Sequence, residues 1–295
     1  MMEHAAEISE AIALATGRSF VSHDPRPVLG GCINKAHIFF DGTQQFFVKT
    51  NRNAYAAMFV AEAEGLRELA KAGLIRIPAP ICWGSTVDIA YLVLEYIEFG
   101  AQSETASSDL GVQLAQLHSI TAPRFGWSRD NTIGLNSQRN TWENSWTVFW
   151  REHRLGFQLQ LAISNGHRGP LIAKLERVLE GVPMILAGHA PQPALLHGDL
   201  WGGNFAVDAA GRPVIFDPAV YYGDRETDVA MTELFGGFDA DFYSAYKSTY
   251  PLAAGYGVRK TFYNLYHVLN HVNLFGGGYA RQAERMADEL LSEFG

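Results

Sequence analysis

Two apolar runs in this chain each end in an acidic residue. Leu195-Leu196 leads into His197-Gly198-Asp199, and Val214-Ile215-Phe216 leads into Asp217. Between the two carboxylates lies an amide, Asn204. A carboxylate held at a strand end can orient a hydroxyl and take its proton. An amide oxygen and a second carboxylate are hard oxygen donors suited to Mg²⁺. Together they meet the needs of phosphoryl transfer, which asks for positioned charge rather than covalent help. The plainer alternative is a tight turn capped by Asp199. Three polar residues in register after apolar strands favour a site.

The spacing is that of the protein-kinase catalytic loop, H-R-D-x-x-x-x-N, with Gly198 where that pattern has Arg. In that pattern Asp199 is the base, Asn204 holds a metal, and Asp217 is the second metal ligand, here in Asp-Pro-Ala rather than Asp-Phe-Gly. A kinase-like chain must place a phosphate-binding lysine upstream, and the elements for it are legible. Ile8, Ile12 and Leu14 suggest a first helix closed by Gly17. Pro25 to Leu29 reads as extended, and Gly30 to Lys35 as a glycine turn. Ala36 to Phe40 and Gln45 to Thr50 read as a hairpin about Asp41-Gly42. Lys49 ends the second strand, where it would pair with phosphates. The spacing predicts a helix over Ala54 to Ala72, stopped at Gly73. Its Glu62 shares a face with Leu66 and is chosen over Glu64 to fix Lys49. Strands follow at Ile81 to Ser85 and Ile89 to Ile97, and the main chain of Glu95, Tyr96 and Ile97 is expected to bind adenine.

A boundary is placed there, giving an ATP-binding lobe at 1–98 and a catalytic, acceptor-binding lobe at 99–295. The expected fold class is α+β: a two-lobe protein-kinase-like fold, with an antiparallel sheet and one main helix in the N-lobe and a mostly helical C-lobe. Leu110, Leu114, Leu117 and His118 mark an amphipathic helix, and Thr121 to Asn140 reads as loop. The aromatic-rich segment from Trp142 to Phe157 reads as helical and mainly core, with Arg154 and any exposed ring left for an acceptor site. Another helix spans about Pro170 to Leu186, and Phe242 to Glu293 is helical. The stretch from Tyr221 to Asp228 is too short for a switchable activation segment, so activity is expected to be constitutive. Asp228 either starts a helix or braces the catalytic loop.

With 295 residues, 47% of them apolar and 18% charged, the composition is that of a globular protein with ample core. The net charge of −8 argues against nucleic acid or an anionic membrane as partner. Two cysteines, Cys32 and Cys82, make no disulfide framework. No signal-peptide h-region or spanning apolar run is present, so a reducing cytoplasm is expected; the chain is expected to act as a monomer.

Several runs together resemble the fructosamine/ketosamine kinase family, within the aminoglycoside-phosphotransferase-like branch of the kinase fold. They are Gly31-Cys32-Ile33-Asn34, Phe47-Val48-Lys49, Met58-Phe59 with Glu62, Leu195 through Asn204, Asp217 through Gly223, Leu234 through Phe238 and Leu269-Asn270-His271. The resemblance runs from about Leu29 to the C-terminus. His-Gly-Asp with its Asn is shared across the branch, whereas Trp201, Tyr221-Tyr222-Gly223 and Phe235-Gly236-Gly237-Phe238 are specific to the ketosamine group. It implies that ATP phosphorylates the 3-hydroxyl of a ketose carried on an amine, usually a lysine side chain, so that the adduct becomes labile and glycation is reversed. Carried over by motif, Asp199 is the base and Asn204 and Asp217 are the Mg²⁺ ligands. Lys49, held by Glu62, clamps the phosphates, and Gly31, Cys32, Ile33 and Asn34 cover them. Trp201 and Tyr222 face the sugar, with Tyr221, Trp146 and the His267 to Asn273 segment completing an acceptor wall. Cys32, in a glycine turn near phosphates, is expected to be redox-sensitive unless it is there only for its small size. The rivals are a kinase of the same branch acting on an aminoglycoside or choline-like alcohol, and a pseudokinase binding module. Intact Lys49, Asp199, Asn204 and Asp217 argue against the last.

Overall fold

The computed structural model describes residues 2–28, 33–101, 103 and 105–293. The chain divides into two compact units, one of Met1–Ser103 with Ala206–Asp217 and one of Glu104–Phe205 with Pro218–Gly295.

The first unit opens with helix α1 (Met2–Thr16). Strands β1 (Arg26–Val28), β2 (Lys35–Phe40), β3 (Gln45–Arg52), β4 (Pro80–Ser85) and β5 (Ile89–Glu95) follow, with helix α2 (Ala56–Lys71) between β3 and β4. The strands form one antiparallel sheet in the order β1-β2-β3-β5-β4. Side chains on β3 are sorted by parity. Phe46 and Val48, with Tyr91 and Val93 of β5, pack under Ile8 and Ile12 of α1. Each of those isoleucines is fully buried, contributing about 1.5–3 kcal/mol. Leu14, expected beside them, is 85% exposed. It sits two residues beyond Ile12, about 200° around the helix, and so turns outward. Lys49 is on the other parity of β3, paired with Leu92, and its side chain meets α2. There Phe59, Leu66 and Leu69 are buried, and Ala61, Ala63 and Gly65 let the helix approach closely.

The second unit begins with α3 (Ala106–Leu117). The region expected to be loop contains a small hairpin, β6 (Asn131–Ile133) and β7 (Asn136–Gln138), turning at Gly134-Leu135. Gly134 has φ +63°, the left-handed value a two-residue hairpin of this kind requires. Its strands are three residues long and mostly polar, so they lack the apolar alternation that marks strands in a sequence. The aromatic helical segment begins later than its first tryptophan. It consists of α4 (Trp146–Phe149), a π-helical turn (Trp150–Leu155) and α5 (Gly156–Ser164).

Next come α6 (Pro170–Ile185) and β8 (Ala194–Leu196), whose three residues are all buried. The chain then crosses back to the first unit as the hairpin of β9 (Phe205–Val207) and β10 (Pro213–Ile215). Ile215 N–H donates to the Arg76 carbonyl there, and Gly100 N–H to that of Val207. After Asp217 the chain pairs β11 (Tyr221–Gly223) with β8 and continues through α7 (Glu226–Thr232), α8 (Ala240–Thr249), α9 (Tyr256–Phe275) and α10 (Gly278–Ser292). Helix α9 is buried on most sides, as a central helix must be, and α10 covers it with Ala283, Ala287 and Leu290. Among the described residues no helix is long and apolar enough to cross a membrane.

Candidate active site

In the first unit Lys49 Nζ lies 2.5 Å from Glu62 Oε1 and 2.5 Å from Asp217 Oδ1. It is Glu62, not Glu64, that α2 turns to the lysine. Burial opposes the ammonium charge, but the Asp217 and Glu62 carboxylates outweigh it and raise the lysine above its usual value. Lys49 is therefore a fixed cation. Asp217 is the one non-glycine among the described residues with positive φ, at +57°. Asp tolerates that conformation better than most residues, and it marks a backbone held against its preference. Its side chain is 46% exposed, unlike those of its partners.

Gly31 and Cys32, expected over the phosphates, lie outside the described residues. Ile33 and Asn34 are tied to β3: Asn51 Nδ2 donates to the Ile33 carbonyl at 3.2 Å and to Asn34 Oδ1 at 2.8 Å. Asn51 was missed in the sequence, where a polar residue after Lys49 and Thr50 gave no sign of its role. Strand β5 ends at Glu95 rather than Ile97. Glu95 donates its N–H to the Ala79 carbonyl, and its carboxylate pairs with Arg76. Tyr96 and Ile97 follow the strand end.

In the second unit β8 delivers His197, Gly198 and Asp199. Asp228, at the start of α7, accepts the N–H groups of His197 at 2.7 Å and Gly198 at 2.8 Å. It braces the loop, the second of the two roles its sequence position allows. Burial opposes its charge, but His118 and the loop N–H groups outweigh that and hold its carboxyl below the usual range. Asp199 N–H donates to His197 Nδ1, and Asn204 Nδ2 donates to the Asp199 carbonyl at 2.8 Å and its carboxylate at 3.4 Å. Asp199 and Asn204 are thus coupled within one turn. Trp201 is folded over Gly203, where a Cβ would strike its ring, and it meets Phe235 edge-on at 6.2 Å.

The expected acceptor wall needs correction. Tyr221, Trp146, His267 and Asn270 are all buried. They belong to the core because β11 is locked to β8 and α9 is central. Trp201, at 37% exposure, and half-buried Tyr222, whose ring is 6.3 Å from that of Trp142, keep accessible surface. His189, Asp224 and Glu226 come close enough to suggest a metal. However, Arg259 Nε and Nη2 grip both Glu226 oxygens at 2.6 and 3.0 Å, and Tyr263 donates to Asp224 at 2.5 Å, so cationic and polar groups already fill it.

The fold is of the protein-kinase-like class. It is similar to the crystal structure of aminoglycoside phosphotransferase APH(4)-Ia over 99% of each chain, with a TM-score of 0.65 at 16% identity, a likeness of fold alone. Within that class the chain belongs to the fructosamine kinase family, whose sequence profile matches residues 4–293. It is therefore an ATP-dependent kinase by family. It is 49% identical over 285 residues, 96% of each chain, to a Synechocystis protein named "Probable ketoamine kinase". To the chloroplastic protein-ribulosamine 3-kinase of Arabidopsis thaliana it is 42% identical, covering 89% of this chain and 81% of that one. A crystal structure of a candidate fructosamine-3-kinase from Haemophilus somnus superposes with a TM-score of 0.89 at 31% identity, over 96% of each chain.

Proposed function

We propose that this protein transfers the γ-phosphoryl group of ATP to the 3-hydroxyl of ketosamines, the ribulosamine and fructosamine adducts of amines and protein lysines, and so starts their removal. The observation that carries the reading is its 41–49% identity, along most of its length, to ketoamine kinases and protein-ribulosamine 3-kinases. The chemistry of the chain supports it. Lys49, fixed by Glu62, would clamp the α- and β-phosphates. Asp199 would orient the acceptor hydroxyl and take its proton as the new O–P bond forms and the bond to ADP breaks. Asn204 and Asp217 would hold Mg²⁺, for which an all-oxygen donor set is suited. Its contribution when bound is to neutralise phosphate charge. Asn204 turns its amide nitrogen to Asp199, which directs its oxygen elsewhere.

A polycationic aminoglycoside would require a cluster of carboxylates. Asp224, Glu226 and Asp228 are each about 1% exposed and engaged by His189, Arg259 and the loop N–H groups. The accessible rings of Trp201 and Tyr222 suit the carbon face of a ketose better. The reading includes a monomer working in the cytoplasm, in keeping with a chain of only two cysteines. The experiment is a panel: ATP with ribulosamine- and fructosamine-modified lysine, free ribose, kanamycin and choline. Turnover of a modified lysine supports the reading. Phosphorylation of kanamycin or choline with neither modified lysine would move the protein to another branch of the class.

A further inference from the structure

The segment that follows Asp217 has no length to spare for a switch, yet the catalytic loop leans on it. Ala219 N–H donates to the His197 carbonyl at 2.9 Å, and the Ala219 carbonyl backs onto the Cα of Gly198. Wherever Ala219 goes, the loop that carries Asp199 must follow. That carbonyl is itself held from behind. Gln138, at the end of β7, donates to it from Nε2 at 3.0 Å. The neighbouring Val220 carbonyl is held the same way by Asn131 of β6, at 2.8 Å.

Neither amide is free to turn. Gln138 Nε2 also donates to Asn131 Oδ1 at 2.9 Å, and Tyr266 of α9 donates its hydroxyl to Gln138 Oε1 at 2.8 Å. Asn140 donates to the same Asn131 oxygen at 2.9 Å. Arg154, from the π-helical turn, fixes Asn140 through Oδ1 at 2.8 Å. Gln138 and Arg154 are fully buried, and Asn131, Asn140 and Tyr266 nearly so. The Arg154 guanidinium lies 4.1 Å from the centre of the Tyr221 ring, with no carboxylate among its partners in the described residues. A π-turn that aims a buried cation at an amide relay is the kind of irregularity that sits beside working sites.

We infer that Gln138 is a positioning residue for phosphoryl transfer. The β6–β7 hairpin is a permanently closed latch that holds the Ala219–Val220 segment leading into β11, and through it the Asp199 loop, in the working geometry. In switchable kinases a phosphorylated segment ordered by arginine does this task. Here neutral amides do it without modification. The inference rests on Asp199 standing in the catalytic loop and not on the identity of the acceptor, so any acceptor that the unaltered enzyme phosphorylates serves for the test.

The test compares Gln138→Met, Tyr266→Phe and the double variant. Gln138→Met keeps the buried volume but removes donor and acceptor, and Tyr266→Phe removes only the hydroxyl that orients Gln138. A displacement of about 1 Å in a catalytic group costs on the order of 10²-fold. The expected result for Gln138→Met is therefore a kcat lower by about 10–100-fold, with the KM for ATP unchanged. Tyr266→Phe should lose about 3–10-fold in kcat, the smaller part of the same effect. The double variant should be no worse than Gln138→Met alone, because Tyr266 acts through Gln138. A packing role predicts something else: losses of thermal stability that add, with kcat per folded molecule unchanged. That outcome overturns the inference. If Gln138→Met fails to fold, Tyr266→Phe decides alone, and a folded Tyr266→Phe with unaltered kcat overturns it equally.

Discussion

The carbonyl oxygen of Ala219 stands where a Cβ on Gly198 would have to go, and Gly198 has φ +82°. The glycine between His197 and Asp199 is thus required twice, by its backbone conformation and by its neighbour. A side chain here is strained by about 1–2 kcal/mol for its left-handed φ and by about 1–3 kcal/mol more for overpacking against main chain that cannot swing aside. Gly198→Ala should therefore lower the Tm by several degrees, at about 2–4 °C per kcal/mol, and abolish turnover. Thermal unfolding within roughly 2 °C of the unaltered protein would contradict this account of the loop.

Asp228 is the second restraint on that loop. Asp228→Asn keeps the shape but leaves one loop N–H facing an amide NH₂. A lost charge-assisted hydrogen bond costs about 1.5–3 kcal/mol, and the His197–Asp199 turn should loosen with it. Both the unfolding midpoint and kcat are expected to fall, whereas Asp239→Asn, at an exposed helix cap of α8, should leave kcat unchanged. Calorimetry and initial rates on the two variants check this.

Lys49 is the cation between Glu62 and Asp217. Lys49→Met removes the cation proposed to partner the phosphates, and a loss of about 1.5–3 kcal/mol corresponds to roughly 10–150-fold weaker ATP binding. Titration calorimetry with ATP reads this directly. Unaltered affinity would remove Lys49 from the nucleotide site.

Acid should destabilise the fold through α9. His267 is buried, and burial, then the neighbouring His271, pushes it down to about 3, with His271 itself lowered by burial. A histidine with a depressed folded value is neutral in both states above about 6.5, so stability is full there. Below that the unfolded chain binds the extra proton, and stability drains by about 1.4 kcal/mol per pH unit as pH falls toward the folded value. At pH 5 the loss from His267 is about 2 kcal/mol by that slope. Denaturant unfolding from pH 8 to 5 should show the decline, and His267→Phe should flatten it. An equal slope in the variant would assign the acid sensitivity elsewhere.

The sequence makes legible whatever rests on a local signal. Gly17, Asp41-Gly42 and Gly73 punctuate α1, the β2–β3 hairpin and α2, and Glu62 is found because it shares a helix face with Leu66. Asp199, Asn204 and Asp217 stand out as polar residues after apolar strands. What stays hidden is the polar interior. Asn131, Gln138 and Asn140 look like loop residues because burial of an amide is decided by partners far along the chain, such as Tyr266 and Ala219. The only local clue was Gly134 between two short polar runs. The acceptor wall was overdrawn for the same reason: the rings of Trp146 and Tyr221 and the polar side chains of His267 and Asn270 read alike in core and cleft, and only tertiary packing separates them.

The central claim is the position of the transferred phosphate. The direct measurement is phosphorus–proton correlated NMR on the product of ATP and ribulosamine-modified lysine. The account predicts a phosphate coupled to the proton on carbon 3 of the ketose, formed by the unaltered enzyme and lost, at roughly 10²–10⁴-fold lower rate, in Asp199→Asn. Phosphate on another hydroxyl, or none on the modified lysine while a different alcohol is phosphorylated, would contradict it.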